Sequence, residues 1–448
     1  MKRLFGTDGI RGIAGEFPLD KATVRTIGSS LSNYFREELS RDPRFVTGRD
    51  TRESGGWIEA EIHSGIHEGG GEVESAGIIT TPGVAYVTNA FRFDAGIVIS
   101  ASHNPFEDNG IKIFSPSGKK ISSDIERQIE ADIYAAQGSA IPVGSRKADS
   151  ASANQFRAAY LDHLAEKVGG LDLSHRKIVL DCANGAASDL APELFKRLGA
   201  NVTAINCSPD GRNINLNCGS LHLDGLQRRV IEEKADAGIA FDGDADRALF
   251  VNEKGEVVDG DATLWVMARY LKDHGKLANS TVVSTVMSNI GLELALKGEG
   301  IELNRAQVGD KYVLDELLAN GSEIGGEQSG HIIFPEISLV GDGMMTALLL
   351  LRAIVERGVS VSEATTGFSR YPQVLVNVKV KEKRPFAEIP AIAEAARELE
   401  TRLAGSGRLL LRYSGTENLA RVMIEGKDQA QIESQALGLA SVIEASLG

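Results

Sequence analysis

The stretch Ala95-Gly96-Ile97-Val98-Ile99-Ser100-Ala101-Ser102-His103-Asn104-Pro105 decides how the rest of the chain is read. A short run rich in β-branched residues that ends in small and polar ones reads as a strand buried on both faces, with a loop at its carboxyl end. The same pattern recurs three times. Lys177-Ile178-Val179-Leu180 runs into Asp181-Cys182-Ala183-Asn184-Gly185, and Ala237-Gly238-Ile239-Ala240-Phe241 into Asp242-Gly243-Asp244. Thr281-Val282-Val283-Ser284-Thr285-Val286 runs into Met287-Ser288-Asn289. Helical stretches, such as 189–198 and 291–297, separate several of these strands. Alternating strand and helix signals mean α/β layers, and ligands in such sheets sit beyond the carboxyl ends of the strands.

Three related mixed α/β domains are therefore expected, over 1–150, 155–252 and 253–365, with the first boundary in the Ala-, Ser- and Gly-rich stretch 136–154. The chain from 370 to 448 differs. Residues 374–380 alternate apolar and polar, as a half-buried strand does. A helix is expected over 384–403, with Pro385 near its start, and 407–425 reads as strand, turn, strand. This is a separate α+β domain.

With 448 residues the chain is too long for one hydrophobic core, and several domains of ~100–150 residues are the norm at this size. The formal net charge of -14 argues against nucleic acid as a partner, which needs a basic face. Any anion site must gather its Lys and Arg locally. Cys182, Cys207 and Cys218 have neither disulfide-framework nor metal-knuckle spacing and read as reduced thiols of a cytoplasmic protein. Asp8 and the neighbouring glycines interrupt the N-terminal apolar residues, so no signal peptide is expected. The longest apolar stretch, near 344–351, is too short to span a membrane.

Ser102 follows the first strand directly, where a substrate can reach it. Next comes Asp108-Asn109-Gly110-Ile111-Lys112-Ile113-Phe114. Asn-Gly is a hairpin signal, and a hairpin there would bring the next strand, with Lys112, back beside the serine. In Asp242-Gly243-Asp244-Ala245-Asp246-Arg247 three carboxylates alternate after a strand. They repel one another unless a cation lies between them, and an all-oxygen set suits magnesium or calcium. An EF-hand is excluded, because Arg247 stands where its sharp turn needs glycine and 248–251 reads as a strand. A phosphate on Ser102 would be a further metal ligand. Three aspartates and a phosphoserine carry roughly −5, which a divalent cation, Arg247 and Lys112 bring close to balance.

Two more loops carry polar side chains. Gly325-Gly326-Glu327-Gln328-Ser329-Gly330-His331 presents Glu327, Ser329 and His331, which suit sugar hydroxyls. Arg412-Tyr413-Ser414-Gly415-Thr416-Glu417-Asn418, followed by Arg421, combines a turn with two guanidinium groups and reads as a phosphate cradle. The stretches 5–12 and 47–52 are polar and glycine-containing but match no P-loop.

Taken together, these stretches resemble the α-D-phosphohexomutase superfamily. Its serine, metal, sugar and phosphate loops occur here in the family's order, over nearly the whole chain. Within it the chain looks most like the bacterial phosphoglucosamine mutases. The pointers are Phe5-Gly6-Thr7-Asp8-Gly9-Ile10-Arg11-Gly12, Glu327-Gln328-Ser329-Gly330-His331 and Val308-Gly309-Asp310-Lys311-Tyr312-Val313. Asn418 departs from the proline usual in the phosphate loop.

The resemblance implies a four-domain, heart-shaped architecture. It implies interconversion of glucosamine 6-phosphate and glucosamine 1-phosphate toward UDP-N-acetylglucosamine, with phosphomannomutase/phosphoglucomutase activity as the alternative. Ser102 would be the phosphorylated nucleophile, sharing Mg2+ with Asp242, Asp244 and Asp246. Arg11, Lys112, His103 and Arg247 would serve catalysis. Glu327, Ser329 and His331 would hold the sugar, and Arg412, Ser414, Gly415, Thr416 and Arg421 the other phosphate. Glucosamine 1,6-bisphosphate or glucose 1,6-bisphosphate would be the primer. The partner is a small-molecule sugar phosphate, with no nucleic acid and no membrane, and a homodimer is compatible with the resemblance. Two rival readings follow from the residues. One is a phosphatase with Asp242 as nucleophile, which leaves Ser102 idle. The other is a non-enzymatic sugar-phosphate or calcium sensor, which would not need Ser102 and Lys112 together.

Overall fold

The computed structural model of the chain describes residues 3–138, 144, 148–414 and 417–448. Two compact units emerge, one of Met1–Thr285 with Asn304–Thr365, the other of Val286–Leu303 with Thr366–Gly448.

The first unit contains the expected α/β layers. Its largest sheet runs in the order Phe5–Gly6, Gly9–Ile13, Asp108–Phe114, Ala95–Ile99, Arg44–Arg49, Glu72–Ile78. The strand Ala95–Ile99 is buried along its whole length. It runs parallel to Arg44–Arg49 and antiparallel to Asp108–Phe114. Its Ile97 and Ile99 join Phe45, Ile27, Leu31 and Ile62 in one core. Burying such side chains contributes about 1.5–3 kcal/mol each.

A second sheet has the order Val257–Val258, Ala248–Asn252, Ala237–Phe241, Lys177–Asp181, Asn201–Ile205. Lys177–Asp181 lies parallel to both Asn201–Ile205 and Ala237–Phe241. In a third, smaller sheet, Thr281–Thr285 pairs in parallel with Gly325–Gly326, which pairs antiparallel with Ile332–Ile333. Helices expected over 189–198 and 291–297 are found as Ala187–Arg197 in this unit and Ile290–Gly298 in the second.

Two local expectations are corrected. Asn109-Gly110 is not a turn. Both residues lie inside the strand Asp108–Phe114, where Arg11 faces Gly110 and Gly12 faces Asn109. The reversal is made earlier, in the serine loop. A Cβ on Gly110 would come within 2.5 Å of the Ser100 carbonyl oxygen, so glycine serves close approach of two backbones here rather than a turn. The helix expected over 384–403 begins later, as Pro390–Leu403. Pro390 takes the first-turn position that needs no N–H, while Pro385 precedes a short 3-10 turn, Phe386–Glu388.

The second unit is built on an antiparallel sheet in which Leu419–Gly426 lies between Gln373–Lys379 and Gly407–Tyr413. The helices Pro390–Leu403 and Gln429–Leu447 share with it a core that includes Ile392, Val422, Ile424 and Ile443. Glu425 is fully buried in this unit and receives Arg408 Nε at 2.9 Å.

One buried acid ties two helices of the first unit together. Asp342 caps the helix Gly343–Arg357 by accepting from the Met345 amide, and it accepts the Tyr160 hydroxyl at 2.8 Å from the helix Ala153–Lys167. Burial raises its carboxyl to about 6 against the pull of those donors. Between pH ~4 and ~6 the folded chain therefore holds a proton that the unfolded chain has released, so stability falls as pH rises through that window, by about 3 kcal/mol in all. Asp342→Asn removes this term. Urea denaturation at pH 4.5 and 7.5 should show the variant gaining on the wild type as pH rises, and an unchanged difference would contradict the assignment.

Candidate active site

Four loops of the first unit converge at the carboxyl ends of these strands. The loop after Ala95–Ile99 brings Ser102, which is 1% exposed and has a left-handed backbone, φ 53°. For a residue with a Cβ that conformation costs about 1–2 kcal/mol, so the surroundings must hold it. Ser102 Oγ donates to Asp242 Oδ2 and lies 3.3 Å from His103 Nδ1. The metal loop can press this close because Gly243 has no side chain: a Cβ there would come within 2.5 Å of the Ser102 carbonyl oxygen.

Asp242, Asp244 and Asp246 present carboxylate oxygens that all lie within 4.8 Å of one another, and all three residues are buried. Burial, followed by repulsion from Asp246 and Asp244, pushes the Asp242 carboxyl well above its ordinary range. Asp246 is held well below that range: burial alone would raise it, but Lys112, His331 and Arg247 outweigh the effect. The Lys112 ammonium reaches Asp244 Oδ2 at 2.8 Å, Asp8 Oδ2 at 3.0 Å and Asp246 Oδ2 at 3.2 Å. Burial disfavours its charge, yet the three carboxylates more than restore it and keep Lys112 protonated. Thr81 Oγ1 also donates to Asp244 Oδ2. Asp244 Oδ1 is buried with no hydrogen-bond partner among the described residues. An orphaned carboxylate oxygen amid three acids fits a hard divalent cation.

Beside the triad opens a cavity of about 450 Å3, lined among others by Arg11, His103, Arg247, Asp310, Glu327 and His331. That is the size of a small-ligand site. Arg11 pairs with Asp8 and reaches Asn104 Oδ1 at 3.5 Å. Arg247 Nη1 lies 3.3 Å from His103 Nδ1. Burial, then Arg247 and Arg11, depress the His103 imidazole to about 4, which keeps it neutral at physiological pH. Glu327 closes a tight turn through Glu327 N–H to His331 O at 2.9 Å, and its Oε1 accepts from the Gly309 amide. His331 Nδ1 lies 3.7 Å from Asp246.

Ser329 and Gln328 do not line this cavity. Ser329 Oγ is buried without a hydrogen-bond partner among the described residues, and Gln328 donates to Asp261 Oδ2 at 3.3 Å. Sequence reasoning gives no role to Lys120, Asp8 or Asp310, yet Lys120 Nζ bridges Asp8 Oδ1 at 2.7 Å and Asp310 Oδ2 at 2.6 Å. This ties the N-terminal loop to the loop that carries Gly309. Only the coincidence of Asp8 and Asp310 with two of the family-like stretches hinted at it.

In the second unit, Arg412 and Arg421 face each other across paired strands. Like charges directly opposite are unfavourable without an anion between them, and burial followed by Arg421 lowers the Arg412 pKa. Ser414 is buried, its carbonyl accepts Lys383 Nζ at 2.7 Å and its Oγ accepts the Glu417 amide. Gly415 and Thr416, the remaining cradle residues expected from the sequence, lie outside the described residues.

Four family models match the chain in order. They are the phosphoglucomutase/phosphomannomutase alpha/beta/alpha domains I, II and III, over residues 2–139, 158–255 and 259–371, and the C-terminal domain over 375–441. The chain belongs to the phosphoglucomutase/phosphomannomutase family. Among family members, a phosphoglucosamine mutase of Solibacter usitatus is 49% identical over 447 residues, covering 100% of this chain and 99% of the relative. One from Koribacter versatilis is 46% identical, covering 100% and 98%. A solved family protein from Burkholderia thailandensis superposes with a TM-score of 0.79 at 24% identity, covering 99% of this chain and 97% of its own. Aspergillus fumigatus N-acetylphosphoglucosamine mutase, solved with GlcNAc-6P and magnesium, superposes with a TM-score of 0.68 at 18% identity, covering 99% and 96%. These two share the fold with the present chain.

If the triad holds a divalent cation, Asp244→Asn should weaken Mg2+ binding at least ~10-fold, since it removes a charged oxygen ligand. Isothermal titration with Mg2+ checks this, and an unchanged affinity would remove Asp244 from the ligand set.

Proposed function

We propose that the chain is a phosphoglucosamine mutase, an isomerase that interconverts glucosamine 6-phosphate and glucosamine 1-phosphate through phosphorylated Ser102 and a 1,6-bisphosphate intermediate. The observation that carries the chemistry is Ser102 Oγ against Asp242, beside a buried triad of carboxylates and the charged Lys112. The choice of sugar rests on full-length relatives of that name at 45–49% identity. The product would feed UDP-N-acetylglucosamine synthesis in the cytoplasm.

In the forward half-reaction the sugar's free 1-hydroxyl attacks the phosphorus of phosphoserine 102. A sugar O–P bond forms, the Ser Oγ–P bond breaks, and the hydroxyl proton passes to a neighbouring base. The bisphosphate then turns around, and its 6-phosphoryl group returns to Ser102 Oγ. The phosphoenzyme is regenerated and the 1-phosphate leaves. Glucosamine 1,6-bisphosphate or glucose 1,6-bisphosphate primes the first cycle. Magnesium, when bound by Asp242, Asp244, Asp246 and an oxygen on Ser102, supplies charge stabilisation to the transferring phosphoryl group.

The chain's own residues do the positioning on which phosphoryl transfer relies. Arg11 and Lys112, both tied to Asp8, supply positive charge beside the transferring group. Neutral His103 lies beside the serine hydroxyl, and the Arg247 guanidinium lies beside His103. Glu327 and His331, which line the cavity, are assigned to the sugar, and Arg412, Ser414, Gly415, Thr416 and Arg421 to the non-reacting phosphate; Ser329, expected from the sequence to hold the sugar, lies off the cavity.

The test is turnover with Mg2+ and glucose 1,6-bisphosphate. The wild type should favour glucosamine 6-phosphate over glucose 6-phosphate in kcat/KM, and Ser102→Ala should lose at least ~1000-fold in kcat. A preference for glucose 6-phosphate would move the chain to the phosphoglucomutase/phosphomannomutase activity. Near-normal turnover by Ser102→Ala would remove the serine from the mechanism.

A further inference from the structure

The stretch Thr47-Gly48-Arg49-Asp50-Thr51-Arg52 lies at the end of the strand Arg44–Arg49, next to the strand that leads to Ser102. It supplies nothing to the cavity lining, yet it contains the largest fully buried side chain among the described residues, Arg52. A buried guanidinium is tolerated only when its donors are used. Here every nitrogen is used, and four of the acceptors are carbonyls of the serine loop and of Asp108, where the next strand begins. Nε donates to Asp50 Oδ2 at 2.9 Å. Nη2 donates to the carbonyls of Ser102 at 3.0 Å and Asn104 at 2.8 Å. Nη1 donates to the carbonyl of Asp108 at 3.0 Å and to that of Pro105.

The other side of Ser102 traces back to the same pair. Ser102 N–H donates to Ser100 Oγ at 2.9 Å, and Ser100 Oγ–H in turn donates to Asp50 Oδ2. Both backbone polar groups of Ser102 are thus held, directly or through one hydroxyl, by the Asp50–Arg52 pair. Asn215 Nδ2 adds a second donor to the Ser102 carbonyl at 2.9 Å. This is the residue whose backbone is left-handed, a conformation an ordinary loop would relax.

We propose that Arg52, braced by Asp50, is a positioning residue for phosphoryl transfer: it gathers three serine-loop carbonyls and that of Asp108 at the start of the next strand, and holds Ser102 in the strained conformation that aims Oγ at Asp242. The inference rests on the proposed role of Ser102. Arg52 has a planar fork of five donors, and the single nitrogen of lysine cannot reach carbonyls on two sides of it. Arg52→Lys therefore keeps the charge and loses the geometry.

The test is steady-state turnover of glucosamine 6-phosphate by Arg52→Lys and Arg52→Ala with Mg2+ and saturating glucose 1,6-bisphosphate. Ser102→Ala is run in parallel, and folding is checked by circular dichroism. A misplacement of ~1 Å in a reacting group costs about 100-fold. The expected result for folded Arg52→Lys is thus a kcat at least ~100-fold down with KM within about threefold of wild type. Guanidinium ion at tens of millimolar should restore kcat of Arg52→Ala by about tenfold or more, which a general loss of fold would not allow. A folded Arg52→Lys with kcat within about threefold of wild type overturns the proposal, as does a KM that rises in step with the loss of kcat. If neither Arg52 variant folds, Asn215→Ala carries the test. It should lower kcat about tenfold at unchanged KM, and an unchanged kcat overturns the proposal. Activity that survives in Ser102→Ala would instead overturn the serine reading beneath it.

Discussion

Three buried carboxylates confined within 4.8 Å are the constraint around which the first unit is arranged. Their repulsion in a medium of low polarity is worth several kcal/mol unless positive charge is brought in. The chain brings it from separate segments. Lys112 comes from the strand antiparallel to the serine strand, Arg247 from the metal loop itself, and Arg11 from the N-terminal strand, linked to Lys112 through Asp8. The net charge of -14 supplies no such field globally, so the compensation is local, built from side chains that the sheet order places side by side. Asp244 keeps one oxygen without a hydrogen-bond partner among the described residues, the opening that a divalent cation fits.

The second unit presents the opposite electrostatic situation. Arg412 and Arg421 stand opposite each other on adjacent strands, and Lys383 reaches the neighbouring Ser414 carbonyl. Arg421 also has Glu417 within 3.7 Å, so part of the positive charge in this unit is answered locally.

Much of this was legible in the sequence because the chemistry sits where strands end. The apolar runs 95–99 and 237–241 mark buried strands, and the polar clusters after them are the serine and metal loops. Asn109-Gly110 misleads for a physical reason. Its residue types suit a turn, but Gly110 is needed because another backbone passes within reach of its missing Cβ. Lys120 was illegible because its partners, Asp8 and Asp310, are 112 and 190 positions away. Arg52 was equally hidden: a polar Thr-Gly-Arg-Asp-Thr-Arg run is ambiguous alone until the fold surrounds it with the carbonyls of a segment some 50 residues later. Gln328, part of a stretch that carries the resemblance to the bacterial phosphoglucosamine mutases, is occupied by Asp261 rather than lining the cavity.

The central claim is that Ser102, and not a carboxylate of the metal loop, carries the phosphoryl group. Mass spectrometry of the protein after brief exposure to glucose 1,6-bisphosphate, with and without subsequent hydroxylamine, tests it directly. One added phosphate is expected, mapped to the peptide that contains Ser102 and unaffected by hydroxylamine. A phosphate on the peptide that contains Asp242, released by hydroxylamine as an acyl phosphate would be, would contradict it.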